Sequence, residues 1–77
     1  MNKVMFFAHL RDAVGAEFLM LPLSGKTVAE VKNMLVEKYP VLKLDTVMTA
    51  INEEFATNDE VMNDGDVIAF IPPVSGG

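Results

Sequence analysis

A chain that alternates short apolar runs with turn residues around one sharply bounded helix is expected to fold as an α+β domain. The expected architecture is a mixed sheet of about four to five strands with one main helix on one face. Three observations carry this expectation. One segment has a helical start signal, a helical apolar stripe and a proline stop. The other apolar runs are short, β-prone and bounded by Gly, Pro, Asn or Asp. Finally, the chain has 77 residues, of which 51% are hydrophobic. That is enough for one small packed core and too little for two.

Lys3 to His9 reads as the first strand, because Val4, Met5, Phe6, Phe7 and Ala8 are apolar without helical periodicity. Leu10 to Gly15 is expected to be a short turn or a single helical turn, closed by Gly15. Glu17 to Leu23 is a second apolar run, ended by Pro22, Ser24 and Gly25. The short link between these runs favours an antiparallel hairpin. Thr27 then opens the helix. Thr27 and Glu30 form the spacing of a capping box, in which each side chain satisfies the other's backbone N–H. Val28, Val31 and Leu35 follow on one face with Met34 beside them. Lys38 complements the C-terminal dipole, and Pro40 drives Tyr39 out of helical geometry. The predicted helix is Val28 to Lys38.

Val41 to Asp45 is expected to be a connector fastened by Val41 and Leu44. Val47 to Asn52 reads as a third strand. Glu53 and Glu54 form a tight turn into a short return strand, Phe55 to Thr57. Asn63-Asp64-Gly65-Asp66 is a strong turn signal before a last strand, Val67 to Ile71. In both the first and last strands, each alternating set is apolar. One helix covers only one face, so the other face is expected to carry an apolar patch. Such a patch is either a partner surface or is covered in part by loops such as Val41 to Asp45.

Composition excludes several chemistries. With no cysteine there is no disulfide, thiolate metal site or cysteine nucleophile. The single histidine, His9, has no serine or acid at a recognisable motif spacing and is expected at a strand end. No catalytic residue and no metal site is expected. Net charge is −5, and Glu53, Glu54, Asp59, Glu60, Asp64 and Asp66 cluster without an intervening Lys or Arg. This argues against nucleic acid and is compatible with a basic partner surface or with a solvated rim of turns. No apolar run approaches the ~20 residues of a membrane helix, and no signal-peptide layout opens the chain. A cytoplasmic protein without membrane contact is expected.

The last stretch, Ile71-Pro72-Pro73-Val74-Ser75-Gly76-Gly77, divides the chain into a domain, 1–72, and a flexible tail, 73–77. Two prolines stop the strand and project the chain outward in stiff, extended form. Five extended residues reach roughly 16 Å at about 3.3 Å each. Gly76 and Gly77 lack Cβ atoms, so the tip is thin enough for a narrow channel. A frayed end and a working tip are both compatible with Gly-Gly by itself.

Phe6-Phe7-Ala8-x-Leu10-Arg11, Thr27-Val28-Ala29-Glu30, Ile51-Asn52-x-Glu54-Phe55, Asp64-Gly65-Asp66 and above all Pro72-Pro73-Val74-Ser75-Gly76-Gly77 resemble the small subunits of molybdopterin synthase, the MoaD sulfur carriers. The resemblance spans essentially the whole chain. The related thiamine-pathway carriers (the ThiS carriers) share the Gly-Gly end and the Asp-Gly-Asp turn. They are shorter before the helix and usually lack Pro-Pro and the Phe-Phe-Ala opening.

The resemblance implies a β-grasp, ubiquitin-like fold and a sulfur carrier that binds no cofactor by itself. It implies two partners. A ubiquitin-activating-like adenylyltransferase uses ATP to convert Gly77 to an acyl adenylate, which a sulfur donor turns into a thiocarboxylate. The large synthase subunit then receives the tail and transfers its sulfur to a cyclic pterin precursor, building the dithiolene. In this scheme Gly77 is the modified residue, and Pro73, Val74, Ser75 and Gly76 are the segment entering partner active sites. Phe7 and Phe70 are candidates for partner contact, with ordinary core as the competing reading. Arg11 either orients against a partner carboxylate or caps its own loop. The alternatives are a ubiquitin-like modifier conjugated through Gly77, a thiamine-pathway carrier, and an interaction module whose tail is idle.

Overall fold

A computed structural model describes residues 1–73. The elements run β1 (Asn2–Phe6), α1 (His9–Val14), β2 (Phe18–Leu21), α2 (Val28–Lys38), β3 (Met48–Ile51), β4 (Glu54–Phe55) and β5 (Val67–Ile71). The five strands form one mixed sheet in the order β2-β1-β5-β3-β4. The central pair, β1 and β5, is parallel, and the flanking pairs are antiparallel. This is the expected one-helix, one-sheet arrangement, with α1 as an added short helix in the first hairpin.

The helix α2 has the expected ends because both caps are local. Glu30 N–H donates to Thr27 Oγ1 at 3.2 Å, and Thr27 N–H donates back to Glu30 Oε1 at 3.0 Å. The two preceding helix donors are satisfied from outside: Val28 N–H by Glu60 O at 2.9 Å and Ala29 N–H by Asn58 O at 3.0 Å. No orphan donor therefore remains at this N-terminus. The loop that supplies these carbonyls is held by Met62, which is buried.

Val28, Val31 and Leu35 pack on Val4, Phe6, Ile68 and Phe70 to make the core. Phe6 and Phe70, direct partners across β1 and β5, stack with centroids 6.3 Å apart. Burying each ring stabilises the fold by about 2–3 kcal/mol. Phe70 is fully buried on the helix face, so its expected place on the partner surface is corrected. Both alternating sets in β5 are apolar, and the phase is decided by which one meets the helix.

Several boundaries also move. The first strand stops at Phe6 because Ala8 takes φ 54°, ψ −133°, which breaks the extended chain. His9 is therefore the first residue of α1 rather than a strand end. Gly15 closes α1 in the left-handed region at φ 82°, donating to Arg11 O at 2.8 Å. In the connector, Leu42 and Leu44 are buried while Val41 is exposed, so Leu42 replaces Val41 as the anchor. The β3–β4 turn is Asn52-Glu53, one residue earlier than expected, with both residues at positive φ as in a type I′ hairpin.

One buried polar residue joins distant parts. Asn2 donates through Nδ2 to Asn63 O at 2.7 Å and to Asp66 O at 3.0 Å, and its Oδ1 accepts from Leu23 N–H at 3.1 Å. It is fully buried and satisfied on both sides of its amide.

Candidate functional site

The site is built from the sheet face that α2 leaves open and from the point where β5 hands over to the tail. Residues at alternate strand positions point away from the helix. Register assembles five of them into a row across the whole sheet: Phe18, Met5, Ala69, Ala50 and Phe55, on β2, β1, β5, β3 and β4 in turn. The row has large side chains at its ends and two alanines near its centre, so it is a trough. Phe55 is 74% exposed and Phe7, which also lines the trough, is 40% exposed.

A second row carries Met20, Lys3 and Val67. Lys3 is the one charge in these two rows, and its Nζ lies 4.4 Å from the Phe18 ring centroid. It thus rests its stem on the apolar face and adds a cation–π contact. At the other end, Met48 pairs with Ile71, the last strand residue before Pro72 and Pro73. The open face and the root of the tail are therefore one continuous surface. Leu42 and Leu44 of the connector pack into the helix-side core, so that connector does not cover it.

The acids lie at the opposite end, around the turns that precede β5 and follow β3. Asp66 has a carboxyl held below its ordinary value by the backbone N–H of Asn63 and then by the Asn52 amide. Asp64 is lowered by its hydrogen bond and attraction to the Met1 ammonium, Asp59 by the Thr57 hydroxyl, and Glu30 by Thr27. Each cause is a direct hydrogen-bond partner, and Asp59, Asp64 and Glu30 are exposed while Asp66 is half-buried. Asp59, Asp64 and Asp66 belong to a charged rim of turns and Glu30 to the first turn of α2, while Asn52 and Glu53 add one polar end to the otherwise apolar lining of the trough.

Of the expected site residues, Phe7 lies on the open face and Pro73 is exposed just beyond Ile71. Phe70 does not join them. Arg11 is exposed on α1 with Nη1 3.4 Å from Glu17 Oε1, a contact within its own loop. Gly77, Gly76, Ser75 and Val74 lie outside the described residues. Met5, Phe18, Met20, Met48, Ala50, Phe55 and Ala69 complete the face and were not singled out from sequence. The available signal was the double apolar alternation, which announces a second apolar face without saying which set forms it.

A model of the ThiS family matches residues 4–77. The chain belongs to the ThiS family. Within it, the molybdopterin synthase sulfur carrier subunit of Arabidopsis thaliana is 38% identical over 78 residues, covering 97% of this chain and 81% of that one. Small archaeal modifier protein 1 from Methanosarcina acetivorans superposes with a TM-score of 0.82 at 33% identity, covering 99% of this chain and 95% of that one. A chain from the complex of subunits 1 and 2 of the Helicobacter pylori molybdopterin-converting factor gives a TM-score of 0.71 at 27% identity, covering 99% and 97%. The fold of this ThiS-family chain is the ubiquitin-like β-grasp, and its relatives include molybdopterin synthase sulfur carrier subunits, as its motifs implied.

Proposed function

We propose that this chain is the sulfur-carrier subunit of a molybdopterin synthase, loaded at Gly77 and held by its partners through the open sheet face. The observation that carries this reading is the continuity of the apolar trough with Ile71, where the tail begins. A partner that covers the trough also receives the tail. The Helicobacter pylori relative, solved as a complex of two subunits, supports a docked mode of action.

The chemistry follows from the nature of a carboxylate. It is anionic and its leaving group would be oxide, so it resists acyl substitution. Adenylation by an activating enzyme exchanges that leaving group for AMP, with pyrophosphate released from ATP. A sulfur donor then displaces AMP and leaves a thiocarboxylate on Gly77. Inside the large synthase subunit that sulfur attacks the cyclic pterin precursor. In this scheme the carrier supplies cargo and fit, ATP belongs to the activating enzyme, and the chemistry of transfer belongs to the large subunit. Pro73 starts the projecting segment, Val74 and Ser75 extend it, and Gly76 keeps it thin. The carrier acts in the cytoplasm, in keeping with the absence, among the described residues, of a helix long and apolar enough to cross a membrane.

The test is to incubate the chain with its adenylyltransferase, ATP and a sulfur source and weigh its C-terminal peptide. An oxygen-to-sulfur exchange at Gly77 is expected, and an unchanged peptide would sink the reading. Adding one residue after Gly77 is expected to abolish loading. The likeness to an archaeal modifier protein favours a second reading, conjugation through Gly77 to protein lysines. Isopeptide-linked adducts in cells, with molybdenum cofactor intact after deletion, would establish it instead. A thiamine requirement on deletion, with molybdoenzymes unaffected, would assign the thiamine pathway.

A further inference from the structure

The chain has six methionines and no cysteine, so the thioether is its side-chain sulfur open to mild two-electron oxidation. Three of these methionines, Met5, Met20 and Met48, lie on the open face. Met20 is 48% and Met48 45% exposed, while Met62 is buried in the core and Met34 is partly buried against it. Apart from Met1, which precedes β1 and is 60% exposed, the strongly exposed methionines lie on the surface a partner must cover, and Met48 sits opposite Ile71 at the root of the tail.

We propose that Met20 and Met48 form a reversible oxidation site that switches the carrier's docking face off. The inference rests on the docking role assigned above to that face. A hydroperoxide transfers one oxygen atom to the thioether. The sulfur lone pair forms the new S–O bond, the peroxide O–O bond breaks, and the departing oxygen takes up a proton and leaves as water or an alcohol. Sulfur is oxidised by two electrons and the peroxide is reduced by two.

The sulfoxide oxygen is solvated in the free carrier, where both side chains face water, so the fold is retained. Covering the face strips that solvation, and an unpaired polar group is costly to bury. The two sites differ in their neighbours. Met20 lies opposite Lys3, whose ammonium can donate to a sulfoxide oxygen, whereas Met48 lies opposite Ile71, which offers no side-chain donor. Oxidation at Met48 thus weakens docking more than oxidation at Met20.

The experiment treats the full, unloaded chain with hydrogen peroxide until peptide masses show sulfoxide at Met20 and Met48 with Met62 intact. Affinity for the large synthase subunit is then measured before oxidation, after it, and after repair by methionine sulfoxide reductases. We expect a loss of at least about tenfold, reversal on repair, and native circular dichroism throughout. Met48→Leu is expected to escape most of the loss, and Met20→Leu/Met48→Leu all of it. An oxidised chain that binds within about twofold of the untreated one, or a double variant that loses as much as the native chain, overturns the switch and leaves the docking role standing. Failure of the untreated chain to bind overturns the docking role and the switch together.

Discussion

Ala50 faces Ala69 directly across the β3–β5 ladder, and between Met5 and Phe55 these two small side chains form the floor of the trough. Filling that floor should block a partner while sparing the core, which lies on the other side of the sheet. Ala69→Leu is expected to change stability by no more than about 1 kcal/mol and to weaken binding to the large synthase subunit by about tenfold or more. Denaturant unfolding and titration calorimetry on the same preparation separate the two effects. Loss of stability without loss of binding would place the docking surface elsewhere.

The amide of Asn2 satisfies two carbonyls and one N–H in a fully buried setting. Asn2→Ala takes the acceptor from the buried Leu23 N–H and one donor each from Asp66 O and from Asn63 O, which keeps Asp66 N–H. It is expected to destabilise the fold by about 1–3 kcal/mol. That is a large share of what a chain this size possesses, so a substantial drop in urea midpoint should be seen.

Asp66 gives a pH prediction with a definite sign. Its folded carboxyl lies below the ordinary value of 3.8 because Asn63 N–H and the Asn52 amide favour the ionised form. The stability it confers is therefore present above that value and is lost as pH falls through the lowered folded value. Asp66→Asn should be less stable than the native chain at neutral pH and show a flatter acid limb. Urea midpoints collected from about pH 7 to about pH 2.5 test this, and parallel limbs would refute it.

Ala8 is a non-glycine residue at φ 54°, ψ −133°, where a Cβ is strained. Ala8→Gly is expected to stabilise the fold by about 1 kcal/mol after the extra freedom of the unfolded chain is counted. Ala8→Val should destabilise it. Equal stabilities for all three chains, measured by thermal unfolding, would show that the turn is relaxed.

Legibility in the sequence followed how local each cause was. The helix α2 was readable to the residue because its capping box and Pro40 act within a few positions of its ends. Strand β5 was equally clear, bounded by Asp66 and Pro72. The anchors of the connector were not, since Val41, Leu42 and Leu44 are all apolar and only the folded core distinguishes the buried Leu42 and Leu44 from the exposed Val41. Phe70 was misplaced for a related reason: with Ala69 and Ile71 as apolar as Ile68 and Phe70, the phase of β5 is decided by tertiary packing. The role of Asn2 was invisible because its partners lie 21 to 64 residues away along the chain. The existence of an open apolar face was legible, while its members required the register.

The parallel pairing of β1 with β5 has a practical consequence for handling the molecule. Both strands start at the same end of the sheet, so Asn2 stands roughly 13–16 Å, one strand length, from where Ile71 passes into Pro72. A fluorophore, affinity tag or sensor-chip tether introduced ahead of Asn2 would stand clear of that exit. It would leave both the trough and the tip free for solution and surface assays.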